Sequence, residues 1–538
     1  MKFKKILIAN RGEIAVRIMR ACREMNIATV AVYSDVDRAA LHTRVADEAI
    51  HIGAPPPRES YLNIEKIIDA AKKTNADAIH PGYGFLAENA DFAQAVNDAA
   101  IVFVGPSPFS IRAMGDKAEA RARMKASGVP VVPGFQDADD DDALARAACE
   151  IGFPVLIKAA AGGGGKGMKV AREPGELKDM GDMARREALN AFGDARVILE
   201  KYIENARHIE FQILADKFGN TIHLFERECS IQRRHQKIIE ETPSPLLDPS
   251  TSSGLREKMG NAAVAAARAV NYENAGTIEF IVDPETREFY FLEMNTRLQV
   301  EHPITEVTTG SDIVKWQLRI ANGEELSVFS NQASEPSLQP LDVARDRSPV
   351  SIHQRGHALE CRIYAEDPSN HFLPSTGRVL ALELPNMPGV RADSGIATGD
   401  EVSAFYDPLL VKLIAHAETR DAAIAKMQNA LREFVLLGVT TNVEFLQAVL
   451  SHPTFRAGAA TTRFIESEML NWGRTTEDER WTTEDERRTT DDERRRTGLI
   501  AAALMELLEK KSPSVKVSNV NDPYSPWRIT NQFRGGVN

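Results

Sequence analysis

Short apolar runs alternate with helix-period stretches through residues 1–114. Lys5–Asn10 (KILIAN), Thr29–Ser34 (TVAVYS), Ala78–His80 and Ile101–Gly105 (IVFVG) read as strands, with Gly12–Met25 and Leu62–Lys73 between them at helical spacing. The alternation predicts a small doubly wound α/β unit whose ligand loops lie at the carboxyl ends of its strands. HPGYGFLAEN, His80 to Asn89, is one such loop.

The pattern changes near Met114. Gly115–Ser127 reads as a helix rich in Ala, Lys and Arg. An acidic run, Asp137 to Asp142, then precedes the strand FPVLIKAA, a glycine loop, and the further strands RVILEKYI and HIEFQILAD. Residues 204–325 hold more strands and a helix around Asn261–Val270, so 115–325 forms a second α/β (α+β) domain. Residues 326–350 are Ser, Gln, Pro and Asp without periodicity, which suits an exposed insertion or linker. Residues 351–470 read as a third, mixed α/β segment ending in a helix near Thr441–Leu450. From Thr475 the chain repeats a seven-residue unit, TTEDERW-TTEDERR-TTDDERR, with no apolar seam. A solvated helix and a spacer both fit this 475–497 stretch, and a tail follows over 498–538.

Composition narrows the class. At 538 residues several domains are expected, and 43% hydrophobic with 26% charged residues is the balance of a soluble globular protein. No apolar run approaches the roughly 18 residues of a spanning helix, so no membrane partner is expected. A net charge of −12 argues against nucleic acid. Cys22, Cys149, Cys229 and Cys361 form no CxxC pair, which predicts reduced thiols rather than a zinc site or disulfide framework. With no leader-like segment at the start, a cytoplasmic enzyme is the expectation.

The candidate chemistry begins in GTIEFIVDPETREFYFLEMNTRLQVEHP, Gly276 to Pro303. Two strand-like runs bound the turn composition Asp283-Pro284-Glu285-Thr286. A hairpin centred at Thr286 sets Glu279 directly opposite Glu293. Facing carboxylates about 5 Å apart repel unless a cation lies between them, and Mg²⁺ is the fitting one; a solvated hairpin face is the alternative. Glu293, Asn295, Arg297, Gln299 and Glu301 share one parity, so an extended chain would carry them on one side. There Asn295 could add an oxygen to the metal, Arg297 could clamp an anion, and Glu301 could act as general base. ECSIQRRHQKIIEE adds a cationic patch of Gln232, Arg233, Arg234, His235 and Lys237, suited to solvent or to phosphate.

KAAAGGGGKGMKV, Lys158 to Val170, is a glycine loop of another kind than Walker A, because Gly167 rather than Ser or Thr follows Lys166. Lys158 closes an apolar strand and opens the glycines, where bare N–H groups and an ammonium together suit polyphosphate. Lys117, in MGDK, is a second candidate.

In this order, MGDK, FPVLIKAAAGGGGKGMKV, LEKYI, RHIEFQI, CSIQRRHQK, GTIEF and LEMNTRLQVEHP resemble the ATP-grasp enzymes, specifically the biotin carboxylase component of biotin-dependent carboxylases. IANRGEIAVRIMRAC, HPGYGFLAEN, ECRIYAEDP and FLPSTG extend the similarity over about residues 1–470. The resemblance implies an N-terminal pre-ATP-grasp domain, an ATP-grasp domain with a mobile lid over about 131–203, and a C-terminal domain. It implies ATP- and bicarbonate-dependent carboxylation of biotin held on a carrier protein. Lys117, Lys158 and lid residues Gly163, Gly164 and Gly165 would meet the nucleotide phosphates. Glu200 and Lys201 would lie beside adenine, with His208, Gln232 and His235 near ribose or phosphates. Glu279, Glu293 and Asn295 would hold Mg²⁺ or Mn²⁺. Lys237, Arg297, Gln299 and the Val300 backbone would surround bicarbonate, Glu301 would take its proton, and Arg362 would stabilise the biotin enolate, with Tyr83 nearby. A homodimer through the helix bearing Arg20 and Glu24 is implied as well. No Met-Lys-Met acceptor and no carboxyltransferase region occur, so a separate biotin carboxyl carrier protein and separate transferase subunits are the expected partners. Another ATP-grasp carboxylate ligase, or an inactive scaffold subunit, are the rival readings.

Overall fold

The structure is a computed structural model, and it describes residues 3–135, 141–160, 168–234, 236–247, 254–326, 352–470 and 472. Gly163, Gly164, Gly165, His235, the 326–350 segment beyond Leu326 and the heptad repeats lie outside the described residues.

The apolar runs at the start form the expected parallel sheet, in the order Glu48–Gly53, Ala28–Ser34, Lys5–Ile8, Ala78–His80, Val102–Phe103. Ile6, Leu7 and Ile8 are fully buried, as a central parallel strand covered on both faces requires. The edge strand Glu48–Gly53 and the helix Ala90–Asp98 escape the sequence pattern, because both are short and carry few large apolar residues. The helix Gly12–Glu24 instead carries a clear stripe, with Ile14, Ala15, Ile18 and Cys22 inside. That stripe packs into a cluster with Ile313, Val314 and Leu318 of the helix Ile313–Ala321.

The helix expected at Gly115–Ser127 forms as Lys117–Ala126, and a separate helix, Pro108–Gly115, precedes it. Asp116 leaves helical geometry (φ −90°, ψ 112°), and its carboxylate accepts from the Glu119 amide at 2.9 Å, capping the second helix. Lys117 is thereby set at a helix start.

An antiparallel four-stranded sheet follows, ordered Gly134–Phe135, Val197–Lys201, Val155–Ala159, Lys169–Ala171, with the helices Asp141–Ile151 and Leu177–Phe192 packed on its buried side chains. The largest sheet has eight antiparallel strands. In order they are Phe289–Asn295, Asn274–Val282, Arg207–Ala215, Thr221–Arg233, Gln236–Thr242, His357–Tyr364, Leu409–Ala417 and Val390–Ser394. The pairing of Ile239 with Cys361 carries it from the second sequence segment into the third, so these two share one sheet. Residues 1–470 form a single compact unit. Among the described residues no helix is long and apolar enough to cross a membrane.

Candidate active site

The hairpin pairs Glu279 with Glu293, as the sequence predicts. The turn itself is offset, since Val282 pairs with Phe289 and Phe280 with Phe291. Leu292 is the extra residue of a bulge, and without that bulge Leu292 would face Glu279. The ladder continues sideways: Glu279 pairs with Glu210, and Glu210 with Arg227. Four neighbouring strands thus deliver Glu293, Glu279, Glu210 and Arg227 in one transverse row.

Lys237 neutralises the middle of that row. Its Nζ lies 2.5 Å from Glu210, 2.7 Å from Glu279 and 2.7 Å from Glu301. Burial alone would raise the Glu279 and Glu301 carboxyls, yet Lys237 holds both well below the usual carboxylate range, aided by His208 at Glu279 and by Arg362 and Arg227 at Glu301. Glu210 goes the other way: burial, with the charges of Glu301 and Glu279, raises it against the pull of Lys237 and Arg227. Burial likewise opposes the Lys237 ammonium, but the three carboxylates push it well above its ordinary value. Fully buried Arg227 donates to Glu210, Gln212, Thr305, Thr277 and Gln299, so its fork is satisfied.

The extended alternation expected through Glu301 is not kept. The strand ends at Asn295, and residues 296–301 turn into the helix His302–Thr309, with Glu301 at its N-cap. Pro303 in the first turn of that helix fits the change of direction. The turn still brings the polar set together. Gln299 and Asn295 each donate to Glu279 Oε1, at 2.8 and 2.9 Å. Arg297 donates through Nε to Glu88 at 2.9 Å and through Nη2 to Asn295 Oδ1 at 2.9 Å. Glu301 Oε2 accepts from Arg362 Nη2 at 3.0 Å, and Lys412 donates to the Val300 carbonyl at 2.8 Å.

Lys158 pairs with Glu200 at 2.5 Å, and Arg121 holds the other Glu200 oxygen at 2.9 Å. Lys117 is lowered by burial and by Lys158, partly offset by Glu293 and Glu200. Lys201 turns its ammonium to the Gly152 and Phe153 carbonyls, each at 2.9 Å. Gln232 bonds His208 Nδ1 at 2.9 Å, while His208 Nε2 lies 3.1 Å from Glu279. The cationic patch divides: Lys237 enters the carboxylate row, whereas Arg233 pairs with Glu366 at 2.6 Å and stacks on Phe372. Tyr83 donates to Glu13, which lies 3.2 Å from Lys412. Arg20 and Glu24 find partners within the chain, Asp393 at 3.1 Å and Lys315 at 2.5 Å.

All the sequence-predicted site residues that are described line one cleft of about 950 Å³, whose wall also includes Tyr202 and Tyr406. That size suits a nucleotide with a second, smaller substrate. Glu210, Arg227, Glu88, Glu13 and Lys412 are participants that the sequence reading missed. The available signal was a charge inside an apolar strand, as in HIEFQILA and LLVKLIAHA, whose burial pattern admits an ionised group only with a partner.

A divalent cation fits the outer part of the row. Glu293 opens to the cleft, and the surrounding protein first, then the Glu279 charge opposite, raises its carboxyl, offset in part by Lys117 and Lys237. Its donors are oxygens, which hard cations take. The inner cluster of His208, Glu210 and Glu279 also brings ligand atoms within 4.8 Å of one another, but there the Lys237 ammonium already supplies the positive charge.

Three family models match the chain: the biotin carboxylase N-terminal domain over residues 2–111, the ATP-binding domain of the carbamoyl-phosphate synthase L chain over 116–329, and the biotin carboxylase C-terminal domain over 360–467. Biotin carboxylase 1 of Bacillus subtilis (strain 168) is 51% identical over 465 residues, covering 86% of this chain and 98% of the relative. The mitochondrial methylcrotonoyl-CoA carboxylase subunit alpha of Oryza sativa subsp. japonica is 51% identical over 465 residues, 86% of this chain, which spans 60% of that relative's length. Among solved structures, the biotin carboxylase domain dimer of Hydrogenobacter thermophilus 2-oxoglutarate carboxylase, in complex with MgADP, ADP and bicarbonate, superposes with a TM-score of 0.79. It is 46% identical and matches 89% of this chain and 100% of its own. A Campylobacter jejuni biotin carboxylase bound to β-γ-ATP gives a TM-score of 0.78 at 44% identity, over 86% of this chain and 99% of its own.

Proposed function

The chain belongs to the biotin carboxylase family of ATP-grasp ligases, and from that premise we propose that it carboxylates biotin on a separate carrier protein, using ATP and bicarbonate, as the first half-reaction of an acyl-CoA carboxylase. The observation that carries the reading is Glu301, a buried carboxylate held ionised between Lys237 and Arg362 on the wall of the cleft that Lys117 and Lys158 also enter.

Lys117 and Lys158 receive the phosphates of ATP, and Lys158 is drawn from Glu200 as they arrive. Glu279 and Glu293, with Asn295 beside them, would hold Mg²⁺, which would supply positive charge against the polyphosphate there. Bicarbonate sits between Lys237, Arg297, Gln299 and the Val300 N–H, where the Arg297 fork, on leaving Glu88 and Asn295, matches two oxygens. Its O–H proton passes to Glu301. The carboxylate oxygen so activated forms a bond to the γ-phosphorus as the bond to ADP breaks, giving carboxyphosphate. Loss of its C–O bond releases CO₂ and phosphate in place, and the phosphate takes the ureido N–H proton of biotin. The biotin nitrogen then attacks CO₂, while the fixed Arg362 guanidinium stabilises the enolate oxygen. Glu301 is a weak base while Lys237 holds it; an incoming anion shares the ammonium and raises its basicity.

The carrier and a carboxyltransferase are the proposed partners, with a second copy meeting the helix that bears Arg20 and Glu24. Both residues are about half exposed, so a second copy can share their present ion pairs. Bicarbonate labelled with ¹⁸O tests the route: one label should appear in the phosphate released with ADP. Phosphate without label would refute carboxyphosphate.

A further inference from the structure

We propose that Glu240 is a positioning residue that keeps the Arg362 guanidinium in place through turnover, and that Glu360 is its neutral, proton-bearing partner. The inference rests on the roles given above to Arg362 and Glu301.

Arg362 Nη2 lies 3.0 Å from Glu301 Oε2 and 2.5 Å from Glu240 Oε1. Glu301 alone cannot anchor it. Once Glu301 takes the bicarbonate proton it is neutral, and its hold on Arg362 weakens before the enolate forms. Glu240 stands behind the guanidinium, fully buried and absent from the cleft wall, so its charge is untouched by that transfer.

Glu240 is not alone there. Its register partner across the antiparallel pair is Glu360, which is also fully buried. Directly opposed side chains share a face, with Cβ atoms about 4.5–5.5 Å apart. None of the four Glu240 and Glu360 oxygens has a geometrically formed hydrogen bond among the described residues, and only Glu240 has an ion pair, with Arg362 at 2.5 Å. Two carboxylates at this spacing in a dry interior do not both ionise. The groups facing the pair decide which one holds the proton. Glu240 has the guanidinium at 2.5 Å. The cation acting most strongly on Glu360 is Lys412, already committed to the Val300 carbonyl at 2.8 Å and to Glu13 at 3.2 Å; Arg362 also acts on Glu360, and Glu301 adds negative charge to both carboxylates. The proton therefore sits on Glu360, leaving the negative charge on Glu240 beside the guanidinium. Burial raises both carboxyls, Glu360 well above its ordinary range and Glu240 only to about 7, which is the same order.

Three variants and one spectrum test this on the full chain. Glu240→Gln keeps the shape and loses the charge, so kcat/KM for free biotin should fall at least about tenfold, the scale of one charge-assisted hydrogen bond, with KM for ATP within roughly twofold. Glu240→Asp, which keeps charge at the cost of packing, should retain more activity than Glu240→Gln; a purely structural role reverses that order and overturns the proposal. Glu360→Gln keeps a neutral side chain of nearly the same shape and should lose less than Glu240→Gln. Infrared difference spectra of wild type against Glu360→Gln should show a protonated-carboxyl C=O band lost in the variant. No such band overturns the neutral Glu360, even where a Glu240 variant fails to fold. Wild-type protein without biotin-stimulated turnover would instead refute the proposed function, leaving the spectrum to judge the pair.

Discussion

Replacing Lys237 by methionine should destabilise the protein strongly at alkaline pH and only weakly at acid pH. Methionine keeps the length of the side chain and removes its charge. Three carboxylates within 2.7 Å of that charge then lose it together. Removing one partner of a buried ion pair costs about 3–5 kcal/mol, because the remaining charge stays uncompensated. The pH dependence follows from the direction of each shift. In the wild type Glu279 and Glu301 are held well below their ordinary value of 4.5, so they stabilise the fold above it and lose that contribution as pH falls through their folded values. In the variant, burial and mutual repulsion lose their largest opponent, with only His208 at Glu279 and Arg362 and Arg227 at Glu301 left to offset them, so both carboxyls should rise above 4.5. The variant fold then binds protons that the unfolded chain releases, and it gains stability as pH falls towards that value. Each unit of upward shift per group is worth about 1.4 kcal/mol. Thermal denaturation without nucleotide or Mg²⁺ should show a Tm deficit of several degrees at about pH 8 that shrinks at about pH 5.5. Equal deficits at both pH values, or a variant as stable as wild type at the higher one, would refute the reasoning.

Glu301→Gln should abolish bicarbonate-dependent ATP cleavage while nucleotide affinity stays within roughly threefold, since the residue meets Lys237 and Arg362 rather than Lys117 or Lys158. Equilibrium nucleotide binding separates that outcome from a lost ATP site. Glu241, gripped by Arg420 at 2.6 and 3.0 Å and by His357 at 2.8 Å, has its carboxyl lowered from 4.5 to about 2 although burial opposes this. Glu241→Gln should cost about 3 kcal/mol near neutral pH, the gap closing as pH falls from 4.5 towards 2, as denaturant titrations at several pH values can follow. Chelating Mg²⁺ should stop ATP cleavage, and Glu293→Gln should raise the Mg²⁺ concentration for half-maximal rate. Removing residues 475–538 should spare the reaction with free biotin, because the cleft is lined by residues between Asn10 and Glu466; a steady-state comparison of the two chains decides it.

The hairpin was legible because its two strands are short runs rich in β-branched and aromatic residues and its turn is marked by Asp283-Pro284. The Leu292 bulge was not, and only chance made a turn centre at Thr286 give the correct opposition of Glu279 and Glu293. The polar set from Arg297 to Glu301 reached the cleft by a turn instead of a strand face, since residue parity cannot report where a chain stops being extended. Lys117 and Lys158 stood out against glycine-rich surroundings. Glu210, Arg227, Glu240 and Lys412 did not, because each partner lies on another strand and strand order is set by the assembled sheet. Motif order carried what spacing could not: by resemblance, Arg362 joined Glu301 across 61 residues.

Free biotin offers the most direct test of the central claim. ADP release should require bicarbonate and rise when biotin is added to the Mg²⁺- and ATP-loaded protein. Folded, nucleotide-binding protein whose ADP release is the same with and without biotin would contradict it.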